Sequence, residues 1–166
     1  MFNIGDTIIY STHGLCKIDD ISERDYSNSR RTYYVMHPIE SPELTINTPV
    51  NNDQSIMLAI MDKDEAERVL HSFKDQGIQW IDDARQRHKH YSSLINTGNR
   101  TDICKVANTL LRRELETHRR QIKMQDQDRK LLEYIKSIMF KELAISLDTS
   151  YENIAKLINS QIKQTA

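Results

Sequence analysis

Trp80-Ile81-Asp82-Asp83-Ala84-Arg85-Gln86-Arg87-His88-Lys89-His90-Tyr91 marks the point where this 166-residue chain changes character. Before Trp80 there are 7 Lys and Arg against 13 Asp and Glu, a net of −6; from Trp80 onward there are 16 against 11, a net of +5. The overall charge of −1 therefore hides two opposed halves. Such asymmetry points to nucleic acid or another polyanion on the basic side and to a different kind of partner on the acidic side. The stretch reads as a helix from about Trp80 to Ile95, with Asp82 and Asp83 in its opening turn, where carboxylates complement the helix dipole. On that helix Trp80, Ala84, His88 and Tyr91 share a stripe, and Arg85 and Lys89 are i, i+4 neighbours. A strand-rich front and a helical back make the fold class α+β.

Upstream, Pro38, Pro42 and Pro49 all precede residue 50, and Gly5 and Gly14 sit within the first fourteen residues, a composition of short strands and tight turns. Thr7 to Tyr10, Leu15 to Ile21, Thr32 to Met36 and Leu44 to Thr48 read as strands, with a possible fifth at Ile56 to Leu58. Turns fill Ser11 to Gly14, Asp25 to Arg31 and Pro38 to Pro42. Asp62 caps a short helix through Phe73, with Ala66, Val69, Leu70 and Phe73 on one face. This reading divides the chain into a β domain over 1–73, a linker over 74–79 and a helical domain over 80–166.

Downstream of Gly77 there is no proline and one glycine, Gly98. A helix beginning near Thr101 or Asp102 presents Ile103, Val106, Ala107, Leu110 and Leu111 on one face and ends at Arg112 and Arg113. A basic passage, His118 to Lys123, leads to a helix capped at Asp126 or Asp128 that buries Leu131, Leu132, Ile135, Ile138, Met139 and Leu143. Thr149-Ser150-Tyr151-Glu152 fits a capping box for a last helix with Tyr151, Ile154, Ala155, Ile158 and Ile162 on its stripe. These stripes can close a bundle. Cys16 and Cys104 fall in different halves, far from the spacing of a disulfide framework or zinc site, and read as buried thiols in a reducing compartment. No signal-peptide pattern opens the sequence and no run of eighteen apolar residues occurs, so the expected setting is cytoplasmic, without a membrane span.

Phe2-Asn3-Ile4-Gly5-Asp6-Thr7-Ile8-Ile9-Tyr10, followed by His13-Gly14, resembles the opening signature of the CarD and CdnL family of bacterial transcription regulators, shared with the polymerase-binding module of transcription-repair coupling factors. Leu44-Thr45-Ile46-Asn47-Thr48-Pro49 resembles a later strand of that module. The resemblance implies a small Tudor-like antiparallel β-barrel that docks on the RNA polymerase β subunit, partly through an exposed sheet edge. Edge pairing suits this, because unpaired backbone groups supply affinity without demanding particular side chains. It places docking at Leu44, Thr45, Ile46, Asn47, Thr48 and Pro49. Asn47 departs from the arginine common in the family, and Arg30 and Arg31, read as lying on the loop before the third strand, are the candidate compensation. In the back half, Arg85-Gln86-Arg87-His88-Lys89, Leu110 to Arg113 and Glu142-Leu143 are similar to the family's DNA-binding helical domain, although the connection from Arg113 to Leu131 is about five residues longer than in the family. The family inserts a tryptophan at the edge of the transcription bubble; an ungapped match puts that position on Ala84, one helical turn from Trp80.

The expected function is a non-enzymatic regulator, a cytoplasmic, nucleoid-associated monomer without cofactor or metal. It would contact promoter DNA through Trp80, Arg85, Arg87, Lys89, Arg112, Arg113, Arg119, Arg120 and Lys123, phosphates being the natural target of such cations. Arg85, Arg87 and Lys89 cannot all share one helix face, and Trp80 is open to two roles, a wedge at unpaired bases or packing between the halves. The alternative is a diverged polymerase-binding adaptor whose helical half binds another protein. A hydrolase or metal enzyme built on Asp82, Asp83, His88 and His90 is disfavoured: His88 and His90 point to different sides of a helix, and no His-Glu-x-x-His, nucleophile elbow or phosphate-cradling loop occurs.

Overall fold

The computed structural model describes residues 1–10 and 13–166. It divides into two compact units, Met1–Ile60 and Met61–Ala166.

The first unit is an antiparallel sheet of β1 (Thr7–Tyr10), β2 (Gly14–Tyr26), β3 (Ser29–Pro38), β4 (Ile46–Pro49) and β5 (Met57–Ala59), in the order β4-β3-β2-β1-β5. Alternation selects its core: Ile8, Tyr10, Cys16, Ile18, Tyr34 and Met36 are buried together. A register shift between Ile18 and Asp20 inserts Asp19 as a bulge, which returns Ile21 to the core side opposite Tyr34. Gly5, at φ +91°, turns the chain so that its N–H donates to the Ile18 carbonyl at 2.8 Å. The expected turn at Ser11 to Gly14 falls partly outside the described residues. The expected turn over Asp25 to Arg31 is corrected: the two strands run on to a hairpin tip of Ser27 and Asn28, both left-handed at φ 41° and 70°. Arg30 and Arg31 therefore lie on β3 and not on a loop.

The second unit contains α1 (Lys63–Ser72), α2 (Ala84–Asn96), α3 (Arg100–Arg119), α4 (Asp126–Ile135), a π-helical turn (Lys136–Phe140), α5 (Lys141–Ser146) and α6 (Tyr151–Thr165). Its core gathers Ala66, Phe73, Tyr91, Leu110, Leu132, Ile135, Phe140, Leu143, Ile154 and Ile158. Ala66 and Phe73 place α1 here, so the division falls at residue 60 instead of 73. The physical reason is that the apolar face of α1 is matched by helical stripes within this unit. Asp62, Asp83, Asn99 and Ser150 cap α1, α2, α3 and α6 through their side chains. The π-helical turn adds a residue between α4 and α5, which lets the adjacent Met139 and Phe140 both face inward. Helix α3 runs past the expected stop at Arg113 to Arg119; it ends where Gln121 turns left-handed (φ 56°) and the Ile122 N–H reaches back to Thr117 at 2.9 Å.

The expected linker over 74–79 is instead a strap laid along α3. Asn108 Nδ2 donates to the Asp75 carbonyl at 2.7 Å, Thr109 Oγ1 to Ile78 at 2.9 Å and the Tyr91 hydroxyl to Gln79 at 3.0 Å. An irregular segment survives against a core only when its carbonyls find such donors.

One buried carboxylate anchors the start of this unit. Glu142 accepts from the Met61 N–H at 2.9 Å and pairs with Arg100 at 2.6 Å. Burial pushes its carboxyl above the usual 4.5, and Arg100 and the Met61 N–H offset only part of that. A carboxyl raised in the folded state contributes stability in full below its unfolded value and loses it as pH rises through the folded one. Denaturation midpoints measured from about pH 4.5 to about pH 8 should therefore fall less with rising pH in Glu142→Gln than in the wild type.

Candidate functional site

In the first unit the candidate surface is the outer edge of β4. The Val50 N–H donates to the Thr32 carbonyl at 2.9 Å, which fixes the phase of the β3–β4 ladder. Tyr34 with Thr48, and Met36 with Ile46, are then the hydrogen-bonded pairs, and the backbone N–H and C=O of Asn47 point away from the sheet. Pro49 shares that phase, so its missing N–H costs the ladder nothing. Leu44 and Thr45 precede the strand and are exposed, Ile46 and Pro49 are half-buried, and Thr48 is buried with its hydroxyl bonded to Asn52 at 3.0 Å.

The side chain of Asn47 accepts from Arg24 Nη2 at 3.0 Å. Arg24 sits on β2 opposite Arg31, on the outward-facing side of the sheet that also carries Tyr33 and Asn47. A guanidinium thus stands beside residue 47 although residue 47 itself is neutral. Arg24 was missed in the sequence because its neighbour on the surface is 23 positions away. Arg30 is tied to Glu23 at 3.1 Å and Asp25 at 3.9 Å, so of the expected pair Arg31 is the one with no carboxylate partner among the described residues.

In the second unit the basic run separates into two populations. Arg85 and Lys89 are exposed on α2, one turn apart. Arg87 is on the opposite side and 2 % exposed; its Nε and Nη2 donate to Asp128 at 3.0 and 2.8 Å, Nη2 to Gln125 at 2.8 Å, and Nη1 to the carbonyls of Ile81 and Asp82 at 2.7 and 3.2 Å. It is a structural group and is withdrawn as a phosphate contact. The signal was present in the sequence: Arg87 and Tyr91 share the inward stripe, and both are buried.

Trp80 also departs from expectation. Asp83 caps α2 by accepting from the Gln86 N–H at 2.8 Å, so the helix begins at Ala84 and Trp80 lies on the strap before it. Its partners belong to the helical unit: Arg87 Cζ stands 4.1 Å from the ring centroid and Arg113 Cζ 4.7 Å. Arg112 is occupied with the carbonyls of Phe73 and Asp75 at 3.1 Å each and the Thr165 hydroxyl at 2.7 Å. Arg113 and Arg120 share Glu116, at 3.3 and 2.7 Å. Lys123 faces Asp126 at 3.8 Å, and Arg119 is exposed. Arg112, Arg113, Arg119, Arg120 and Lys123 therefore do not gather into one free surface; of the expected DNA contacts, Arg119 here and Arg85 and Lys89 on α2 are the cations with no ion pair among the described residues.

Residues 68–159 match the family model described as the CarD C-terminal domain. The chain belongs to the CarD family. Residues 2–60 match the CarD-like/TRCF RID domain, so the two family modules fall on the two structural units. Among curated relatives, YdeB of Bacillus subtilis (strain 168), named as a candidate transcription factor, is 27 % identical over 121 residues, covering 70 % of this chain and 76 % of the relative. CarD-family membership makes the chain a transcription regulator by class, with an α+β fold whose first unit is Tudor-like. No described helix is long and apolar enough to cross a membrane.

Proposed function

We propose that this CarD-family chain is a non-enzymatic regulator that docks on the RNA polymerase β subunit through the β4 edge and contacts promoter DNA through α2, biasing open-complex formation. The observation that carries the reading is the outer edge at Asn47, which no described strand covers, with Arg24 hydrogen-bonded to the Asn47 side chain. Its outward N–H and C=O can extend the sheet with a strand of the partner, and the Arg24 guanidinium favours a partner strand bearing carboxylates. Arg85 and Lys89 supply a short cationic ridge suited to phosphates, which orients the protein on DNA without reading sequence. Binding then stabilises whichever promoter state offers both contacts.

A purified fragment of the β subunit should be captured by the full chain without DNA. Asn47→Pro removes the outward N–H at no cost to the ladder and should weaken capture by about tenfold, roughly one charge-assisted or strand-edge hydrogen bond. Capture that is absent in the wild type, or unchanged by Asn47→Pro and by Arg24→Glu, contradicts the docking surface.

The adaptor reading, in which the helical unit binds another protein, is favoured by one observation: Arg87, Arg112 and Arg113 are occupied within the unit while Tyr134, Ile145 and Leu157 are exposed. It predicts DNA affinity that is weak and nearly flat with salt.

A further inference from the structure

Helices α1 and α3 run side by side in the same direction: Glu65 meets Arg100 at 3.8 Å near their starts, and Ser72 meets Cys104 at 3.4 Å further along. Between them lies a cleft of about 380 Å³, within the size range of small-ligand sites. Val69 and the buried Cys104 form the apolar part of its lining, and burial pushes the thiol up to about 11, so this wall is unreactive. The charges around the cleft are sorted by position. Arg68 from α1 and Lys105 from α3 are exposed, one on each flanking helix, and neither is ion-paired among the described residues. Arg100 is committed to the buried Glu142 at 2.6 Å and to Glu65 at 3.8 Å, which also occupies Glu65. At the other end stands Asp75, exposed, with its backbone carbonyl held by Asn108 at 2.7 Å and Arg112 at 3.1 Å and its carboxylate without a partner among the described residues. Ser72, whose carbonyl accepts from the Asp75 N–H at 3.1 Å, gives its hydroxyl proton to the Val69 carbonyl at 2.6 Å and so offers the cleft an acceptor.

We propose that this cleft binds a free small zwitterion, a carboxylate and an ammonium joined by a short methylene chain, with the carboxylate between Arg68 and Lys105 and the ammonium at Asp75 and Ser72. The separation of the charges selects this class. A simple anion satisfies the two cations and leaves Asp75 facing it, and a simple cation does the reverse; a ligand with both groups answers every uncommitted charge in the lining. Arg112 does not cancel Asp75, because its contact is with the backbone carbonyl and it lies outside the cleft lining. Lys105 precedes Asn108 by three residues on α3, and Asn108 holds Asp75, so the two ends are about 5 Å apart at the helical rise per residue. Three methylenes between the charged groups span about that distance, and they lie along Val69 and Cys104. Bound there, the ligand ties the strap at Asp75 to α1 and α3.

The test is calorimetric titration of the full-length protein at neutral pH with 4-aminobutyrate, and with butyrate and butylamine as probes that each carry one of its two charges. Saturable heat is expected from 4-aminobutyrate, with association about tenfold weaker for either singly charged probe. Asp75→Asn, and Arg68→Gln combined with Lys105→Gln, should each weaken 4-aminobutyrate by about tenfold. These side chains are exposed, so the variants keep the fold. Lys74→Gln, an exposed neighbour outside the cleft lining, should leave the association constant unchanged. No saturable heat from 4-aminobutyrate, equal constants for the three probes, an unchanged constant in Asp75→Asn, or a loss in Lys74→Gln as large as in Asp75→Asn overturns the proposal. Neither polymerase nor DNA enters the measurement, so its failure is separate from failure of the docking and DNA-contact readings.

Discussion

Asp128→Ala should destabilise the helical unit by about 3–5 kcal/mol, the usual cost of removing one partner from a buried ion pair. Asp128 is 4 % exposed and Arg87 2 %, and the carboxylate receives two of the guanidinium's hydrogen bonds. Without it a positive charge remains in the interior, backed by Gln125 and two carbonyls that cannot neutralise it. The loss should appear as a lower denaturant midpoint at unchanged slope, with a shift in Trp80 emission as the inner guanidinium moves. Arg87→Met combined with Asp128→Leu should recover much of the loss, since a buried pair is far costlier to halve than to replace. A single variant as stable as the wild type would mean that Arg87 is solvated in solution and free to meet phosphate after all.

Gly77→Ala should cost about 3 kcal/mol, at the upper end of overpacking penalties. A Cβ at Gly77 would stand 2.1 Å from Thr109 Oγ1, 2.7 Å from the Lys105 carbonyl and 2.8 Å from the Thr109 nitrogen. Two of those atoms are backbone of α3 and cannot swing aside. The strap must lift instead, which breaks the Thr109 hydrogen bond to Ile78 and moves Trp80, three residues on. Thermal unfolding tests this. Adding Thr109→Ala should not rescue the variant, because it clears the hydroxyl and leaves both backbone contacts.

The strands and helical stripes were legible in the sequence because their signals are local. Thr7 to Tyr10 and the Leu110–Leu111 face follow from periodicity, and Asp62 declared its cap. The opening string around Gly5 and Tyr10 carried the family. What was not legible depends on partners far along the chain. Arg87 and Asp128 are 41 positions apart, and each alone looks like any other surface charge or helix-start carboxylate. Asn108 and Thr109 read as polar interruptions of a stripe, yet they hold the strap down. Trp80 was placed on a helix because the pattern around it continues; with Asp83 as the cap the helix starts at Ala84, four residues later than a stripe alone suggests. Arg24 meets Asn47 only once β2, β3 and β4 are assembled.

The central claim is that one unit grips the polymerase while Arg85 and Lys89 hold the template, and open-complex lifetime on a promoter tests it most directly. With saturating protein the wild type should change the lifetime measurably, and Arg85→Glu combined with Lys89→Glu should abolish that change while β-subunit capture persists. The wild-type effect should also fade as salt rises, as phosphate contacts require. A double variant that alters lifetime as fully as the wild type, at every salt concentration, would contradict the account.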